Sequence, residues 1–98
     1  MTLTTSCSDN NETEISNITL AAEMNLFPAT VWIAENKSYF KKHNLNLTIR
    51  QHDSGRNAFE SMLKDNSINI ATVAQTPVVF NSFNHEPYII FATMAYSL

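Results

Sequence analysis

The chain predicts an α/β fold, a parallel open sheet in the order β-α-β-α-β-α-β. Two observations carry this. Four stretches have the apolar character of strands, around Ile18, Leu45, Ile68 and Tyr88, and the segments between them repeat apolar residues at helical spacing. Strands that alternate with short helices are joined by right-handed crossovers, so they run parallel.

Each element follows from its own residues. "NITLAAEM" places Ile18, Leu20 and Ala22 at alternate positions, a first strand. In "FPATVWIAENKSYFKKHN", Pro28 suits the first turn of a helix, where its missing N–H is not needed. Val31, Trp32, Ile33 and Ala34, followed by Tyr39 and Phe40, predict a helix packed on the sheet, broken near Lys37 and Ser38. Trp32 reads first as a core residue of that helix, and second as an apolar wall shared with Phe27. Asn44 tolerates the left-handed backbone that ends helices. "LNLTIRQ" sets Leu45, Leu47 and Ile49 against Asn46, Thr48 and Arg50, the pattern of an edge strand with one polar face.

The second half repeats the scheme. Ala58, Phe59, Met62 and Leu63 recur at helical spacing, with Asp53 or Ser54 as the cap. "INIATVA" predicts a third strand over 68–74. Thr76 then reads as a cap with Pro77 at the first helical position and Val78, Val79, Phe80 and Phe83 behind it. The uncharged stretch 88–98, "YIIFATMAYSL", predicts a fourth strand. Residues 1–16 are polar and without periodicity, an unstructured leader or tether ahead of one domain over 17–98.

The bulk numbers set limits. A chain of 98 residues suffices for one small domain, and 44% apolar with 15% charged residues is globular composition. The net charge of −3 and the scatter of six basic residues disfavour a nucleic-acid partner. No apolar run approaches the roughly 20 residues that span a bilayer. Cys7, the single cysteine, permits no internal disulfide. It follows "LTTS" and precedes a polar run, which resembles the end of a bacterial lipoprotein signal, with Thr4 where Leu is usual. The apolar part of such a signal would lie upstream of Met1. A free thiol in a polar tail is the equal alternative.

In an open α/β sheet, ligands bind outside the carboxyl ends of the strands. Three strand-to-helix turns point there: Met24-Asn25-Leu26-Phe27, Asp53-Ser54-Gly55-Arg56 and Ala74-Gln75-Thr76-Pro77. Each helix start offers unpaired N–H groups and a partial positive charge. Gly55, the only glycine, either admits a ligand to the backbone and a positive φ, or simply makes a tight turn.

The segments "SYFKKHNLNLTIRQHDSG", "INIATVAQTPVVF" and "EPYIIFAT" together resemble the periplasmic solute-binding proteins of ABC transporters. The likeness falls in the group for sulfonates, taurine, nitrate and thiamine pyrimidine precursors, and covers Ile18 to Leu98. Ser38 and Asn44 stand where that group usually has glycine, as does Gln75, and Asn69 stands at a frequent Asp position. The resemblance implies half of a type II periplasmic-binding-protein lobe, the first part of lobe one. It further implies ligand contacts at Asn25, Leu26, Phe27, Ser54, Gly55, Gln75, Thr76 and Tyr96, with Ser97 nearby. Family members have two lobes and about three times this length. The piece therefore lacks the returning strand and the far wall of the site, and the resemblance implies weak binding by it alone.

The function so implied is non-enzymatic capture of a small polar or anionic solute for an ABC permease, with no cofactor or metal. The place is the periplasm or the outer face of the cytoplasmic membrane, with a lipid anchor at Cys7. A thiamine-pyrimidine biosynthetic enzyme of the same fold is the alternative, and a flavodoxin-like signalling module the third. No GxGxxG, Walker A or GxSxG motif is present. His43, His52 and His85 are too dispersed for a ligand set. Arg56 either adds charge to the site or points to solvent, and Glu60 with Lys64 forms a surface pair at i, i+4 spacing. Four Asn-x-Ser/Thr triplets, at Asn11, Asn17, Asn36 and Asn46, read as chance in so Asn-rich a chain.

Overall fold

A computed structural model of the protein describes residues 14–96, so most of the leader with Cys7, and Ser97, lie outside the described residues. The elements are β1 (Ser16–Glu23), α1 (Ala29–Asn36), α2 (Tyr39–Lys42), β2 (Leu45–His52), α3 (Gly55–Lys64), β3 (Ile70–Ala71) and α4 (Gln75–Ser82). This is a small α/β domain with a three-stranded parallel sheet and four helices.

The strand order is β2-β1-β3, with β1 central and parallel to both neighbours. Its position explains its sequence. Leu20, Ala21 and Ala22 are all buried, because a central strand is covered on both faces. The edge strand β2 instead alternates half-buried Leu45, Leu47 and Ile49 with exposed neighbours, as its pattern predicts. Asn17 and Asn46, directly paired in the register, bond side chain to side chain at 2.8 Å. Asn69 adds to β3 by exchanging bonds with Thr19: its N–H donates to Thr19 O at 2.9 Å, and its Oδ1 accepts from Thr19 N at 2.8 Å.

The core is small. Ala21, Ala58 and Ile68 form its centre, with Met62 and Ala71 against it. The amphipathic α3 supplies Ala58 and Phe59, and it packs on all three strands. Ser54 caps it, its Oγ accepting the Asn57 N–H at 3.1 Å. Glu60 pairs with Arg56 at 2.9 Å rather than with Lys64. Helical side chains lean toward the N-terminus, which brings Glu60 back over Arg56.

The break between α1 and α2 falls at Ser38, which has φ 60°, and Asn44 ends α2 with φ 61°. Both are left-handed positions, where glycine is the default residue.

Four expectations are corrected. First, α1 has no buried residue and packs on α2 rather than on the strands. Successive apolar residues 31–34 turn by about 100° each, so they encircle the helix and make no stripe. Second, β3 is two residues long, not seven. Third, α4 begins two residues earlier than Thr76 as a cap implies: Ala74 is the N-cap and no side chain caps it. Pro77 still lies within the first turn, where no N–H is required.

Fourth, the closing stretch 86–96 is not a strand, and Ile89, Ile90 and Phe91 are exposed. Tyr88 explains the path. Its ring meets Phe59 of α3 edge-on at 5.0 Å, and its hydroxyl donates to Val78 O of α4 at 2.8 Å. The stretch is thereby pinned to the helices rather than delivered to the open edge of β3. Without a hydrogen-bonded neighbour an apolar run has no ladder to join.

Candidate functional site

At the strand carboxyl ends, the end of β1, the start of α3 and residues 73–74 after β3 come together. Glu23, the last residue of β1, is buried, and its Oε2 accepts the Gly55 N–H at 3.1 Å and Asn25 Nδ2 at 2.7 Å. Gly55 opens α3. A Cβ built on it would stand 3.1 Å from Glu23 Oε1, 3.2 Å from Val73 Cα and 3.5 Å from Ala74 N. The single glycine thus sits where the chain after β3 passes against the start of α3, with the Glu23 carboxylate beside them. Its φ is not positive, so the left-handed backbone offered as one reason for it is not used. Close approach of backbone to backbone is the reason that holds, and the approaching group is the protein's own.

The turn after β1 is equally occupied with itself. Asn25 Oδ1 accepts the Phe27 N–H at 2.9 Å, an Asx turn, and its backbone oxygen accepts from Trp32 Nε1 at 3.2 Å. Met24, Asn25, Trp32 and Gln51 line a hollow of about 290 Å³ beside this turn. Trp32 therefore acts as a wall of the hollow and not as core. Leu26 and Phe27 are strongly exposed and line neither of the two hollows.

Thr76 faces a different groove, of about 550 Å³, between α3 and α4. Arg56, Glu60, Phe80 and Asn84 share it. Gln75 is the exposed first residue of α4. Tyr96 is exposed and belongs to no strand, so the fourth strand expected to carry it to the crevice does not do so. Of the predicted contacts, the structure joins Asn25, Ser54 and Gly55 through Glu23 or the α3 cap, and sets Thr76 apart from them.

Sequence reasoning missed Glu23 and Gln51, and placed Met24 in the first turn without giving it a contact. The signal for Glu23 was present: it is the first charge after the apolar run Leu20-Ala21-Ala22, at the carboxyl end of a parallel strand. Among the described residues, no group of three His, Cys, Asp or Glu side chains is placed to hold a metal ion. Thr72, just beyond β3, is buried, and its hydroxyl has no hydrogen-bond partner there.

The class this defines is a small open parallel α/β domain whose polar groups converge beyond the strand ends. Compared with protein-family models, curated proteins and solved structures, the chain matches none.

Proposed function

We propose that this domain captures a small polar solute at the carboxyl end of its sheet and hands it to an ABC permease outside the cytoplasmic membrane, without catalysing a reaction. One observation carries the reading. With the order β2-β1-β3, chain direction across the sheet reverses between β1 and β3, and Glu23, Gly55 and Val73 meet at that reversal. Ligands of open α/β sheets bind at such switch points. The resemblance of "SYFKKHNLNLTIRQHDSG" and "INIATVAQTPVVF" to solute-binding proteins supports the same place.

On this reading the domain is the first part of a type II lobe. The open edge of β3 and the exposed Ile89, Ile90 and Phe91 are the surfaces a further strand would cover. Anchoring through a lipid on Cys7 belongs to the same proposal.

The test uses the 98-residue protein labelled with ¹⁵N. Its only glycine gives one backbone amide of recognisable shift, Gly55, and its only tryptophan one indole N–H, Trp32. Taurine, nitrate, alkanesulfonates, choline and hydroxymethylpyrimidine are titrated into the millimolar range. At least one is expected to move the amides of Asn25, Ser54 and Gly55 saturably. If every solute leaves all of them unmoved, the capture reading is lost.

A further inference from the structure

The strand-end face holds a buried carboxylate. Glu23 is only 9% exposed, and it carries no ion pair among the described residues. The two ion pairs there lie elsewhere, Arg50 with Asp65 and Arg56 with Glu60. Arg56, at the start of α3 beside the turns, is thus paired with Glu60. Asp53, in the turn after β2, has the same sign as Glu23.

Three of the donors that could meet an anion at the turns after β1 and β2 are already used. The Gly55 N–H at the start of α3 goes to Glu23, the Phe27 N–H to Asn25 and the Asn57 N–H to Ser54. A carboxylate of the chain thus holds the place at the α3 N-terminus that a bound anion would take. A second anion there would meet like charge in a partly water-excluded setting, where repulsion is strong.

The neighbouring hollow has matching chemistry. Asn25 lines it and holds Glu23 at 2.7 Å, so the carboxylate lies one hydrogen bond behind the wall. Trp32 lines it too, with its indole fixed by the 3.2 Å bond to Asn25 O. Indole is the best aromatic partner for a cation, and Met24 and Gln51 complete a lining without charge.

We infer that the hollow of Met24, Asn25, Trp32 and Gln51 takes a small organic cation, an ammonium group, with Glu23 as its counter-charge and Trp32 as its aromatic wall. This rests on the solute-capture reading and selects the charge of the solute.

Choline, sodium ethanesulfonate and sodium nitrate are titrated at matched ionic strength into the labelled protein, reading the Trp32 indole and Gly55 amide signals. Choline is expected to shift both saturably, and the two anions neither. Glu23→Gln is expected to weaken choline at least about tenfold. Trp32→Leu, on a helix with no buried residue, is expected to weaken it severalfold while the spectrum stays dispersed, so the idea is tested even where Glu23→Gln fails to fold. Saturable shifts with ethanesulfonate or nitrate, and none with choline, overturn the inference and leave solute capture standing. Choline binding that is indifferent to both substitutions overturns it as well. Silence from all three probes removes the inference, and silence extending to taurine and hydroxymethylpyrimidine removes the capture reading.

Discussion

Glu23 and Gly55 lock the end of β1 to the start of α3: one carboxylate oxygen accepts the glycine N–H at 3.1 Å, and the other stands 3.1 Å from where a Cβ would be. Glycine at an ordinary helix start is replaced by alanine with a gain of about 0.4–1 kcal/mol, through the unfolded chain. Here the sign reverses. The Val73 Cα at 3.2 Å is backbone and cannot swing away. Gly55→Ala is expected to cost about 1–3 kcal/mol by overpacking, read from urea denaturation midpoints at unchanged slope. A stabilised variant would show that the junction is looser than described.

Ser38 and Asn44 give the opposite prediction. Each holds a left-handed backbone, φ 60° and 61°. The conformation costs a non-glycine residue about 1–2 kcal/mol, and glycine's extra freedom in the unfolded chain offsets about 0.5–1 kcal/mol of the relief. Ser38→Gly is expected to stabilise by about 0.5–1 kcal/mol in thermal unfolding, and Asn44→Gly by less, because Asn tolerates this region. Equal or negative effects would count against the backbone account of the helix break.

Thr72 offers a test of polar satisfaction. Its buried hydroxyl has no partner among the described residues, and such a group costs about 1–3 kcal/mol. Valine has the same shape without the hydroxyl. Thr72→Val is therefore expected to raise stability by about 1 kcal/mol, a Tm gain of roughly 4–8 °C for a domain of this size. A loss would place an acceptor on the Thr72 hydroxyl in solution.

Asp65 links stability to pH. Its Oδ1 accepts from Ser67 Oγ at 2.7 Å and Ser67 N at 2.9 Å, and its Oδ2 from Arg50 at 3.0 Å. These bonds, Ser67 foremost, hold the carboxyl below the usual carboxylate range. A carboxyl lowered in the folded state stabilises above its unfolded value, about 3.9, and that contribution fades as pH falls through the folded value. A carbon-detected titration of Asp65 is expected to show the lowered midpoint. Ser67→Ala and Arg50→Ala should each raise it, and a midpoint indifferent to Ser67→Ala would demote the Ser67 hydroxyl bond.

Much of the fold was legible because its signals are local. The alternation of β2, the helical spacing of Ala58, Phe59 and Met62, and the cap at Ser54 are each set within a few residues. The parallel arrangement followed from that alternation of elements. The fate of residues 88–96 was not legible. Their apolar, uncharged sequence suits a strand, but a strand needs a neighbour, and only the Tyr88 contacts with Phe59 and Val78 show where the chain goes instead. The site was half legible for a similar reason. Ser54, Gly55 and Asn25 were marked by turn chemistry, whereas Glu23 gains its meaning from Gly55, 32 positions away. Motif reading asks which donors a turn offers, and does not ask which of them the chain has already used.

The central position of β1 also governs how the chain finds its shape. No two neighbouring strands are joined by a hairpin: Asn17 meets Asn46 across 29 residues, and Thr19 meets Asn69 across 50. Every ladder closes a long loop before its first bond forms, and that entropy is spent ahead of any return. Assembly of the sheet is therefore a long-range search with no local β nucleus, and refolding is expected to run slower than in helical bundles of equal length.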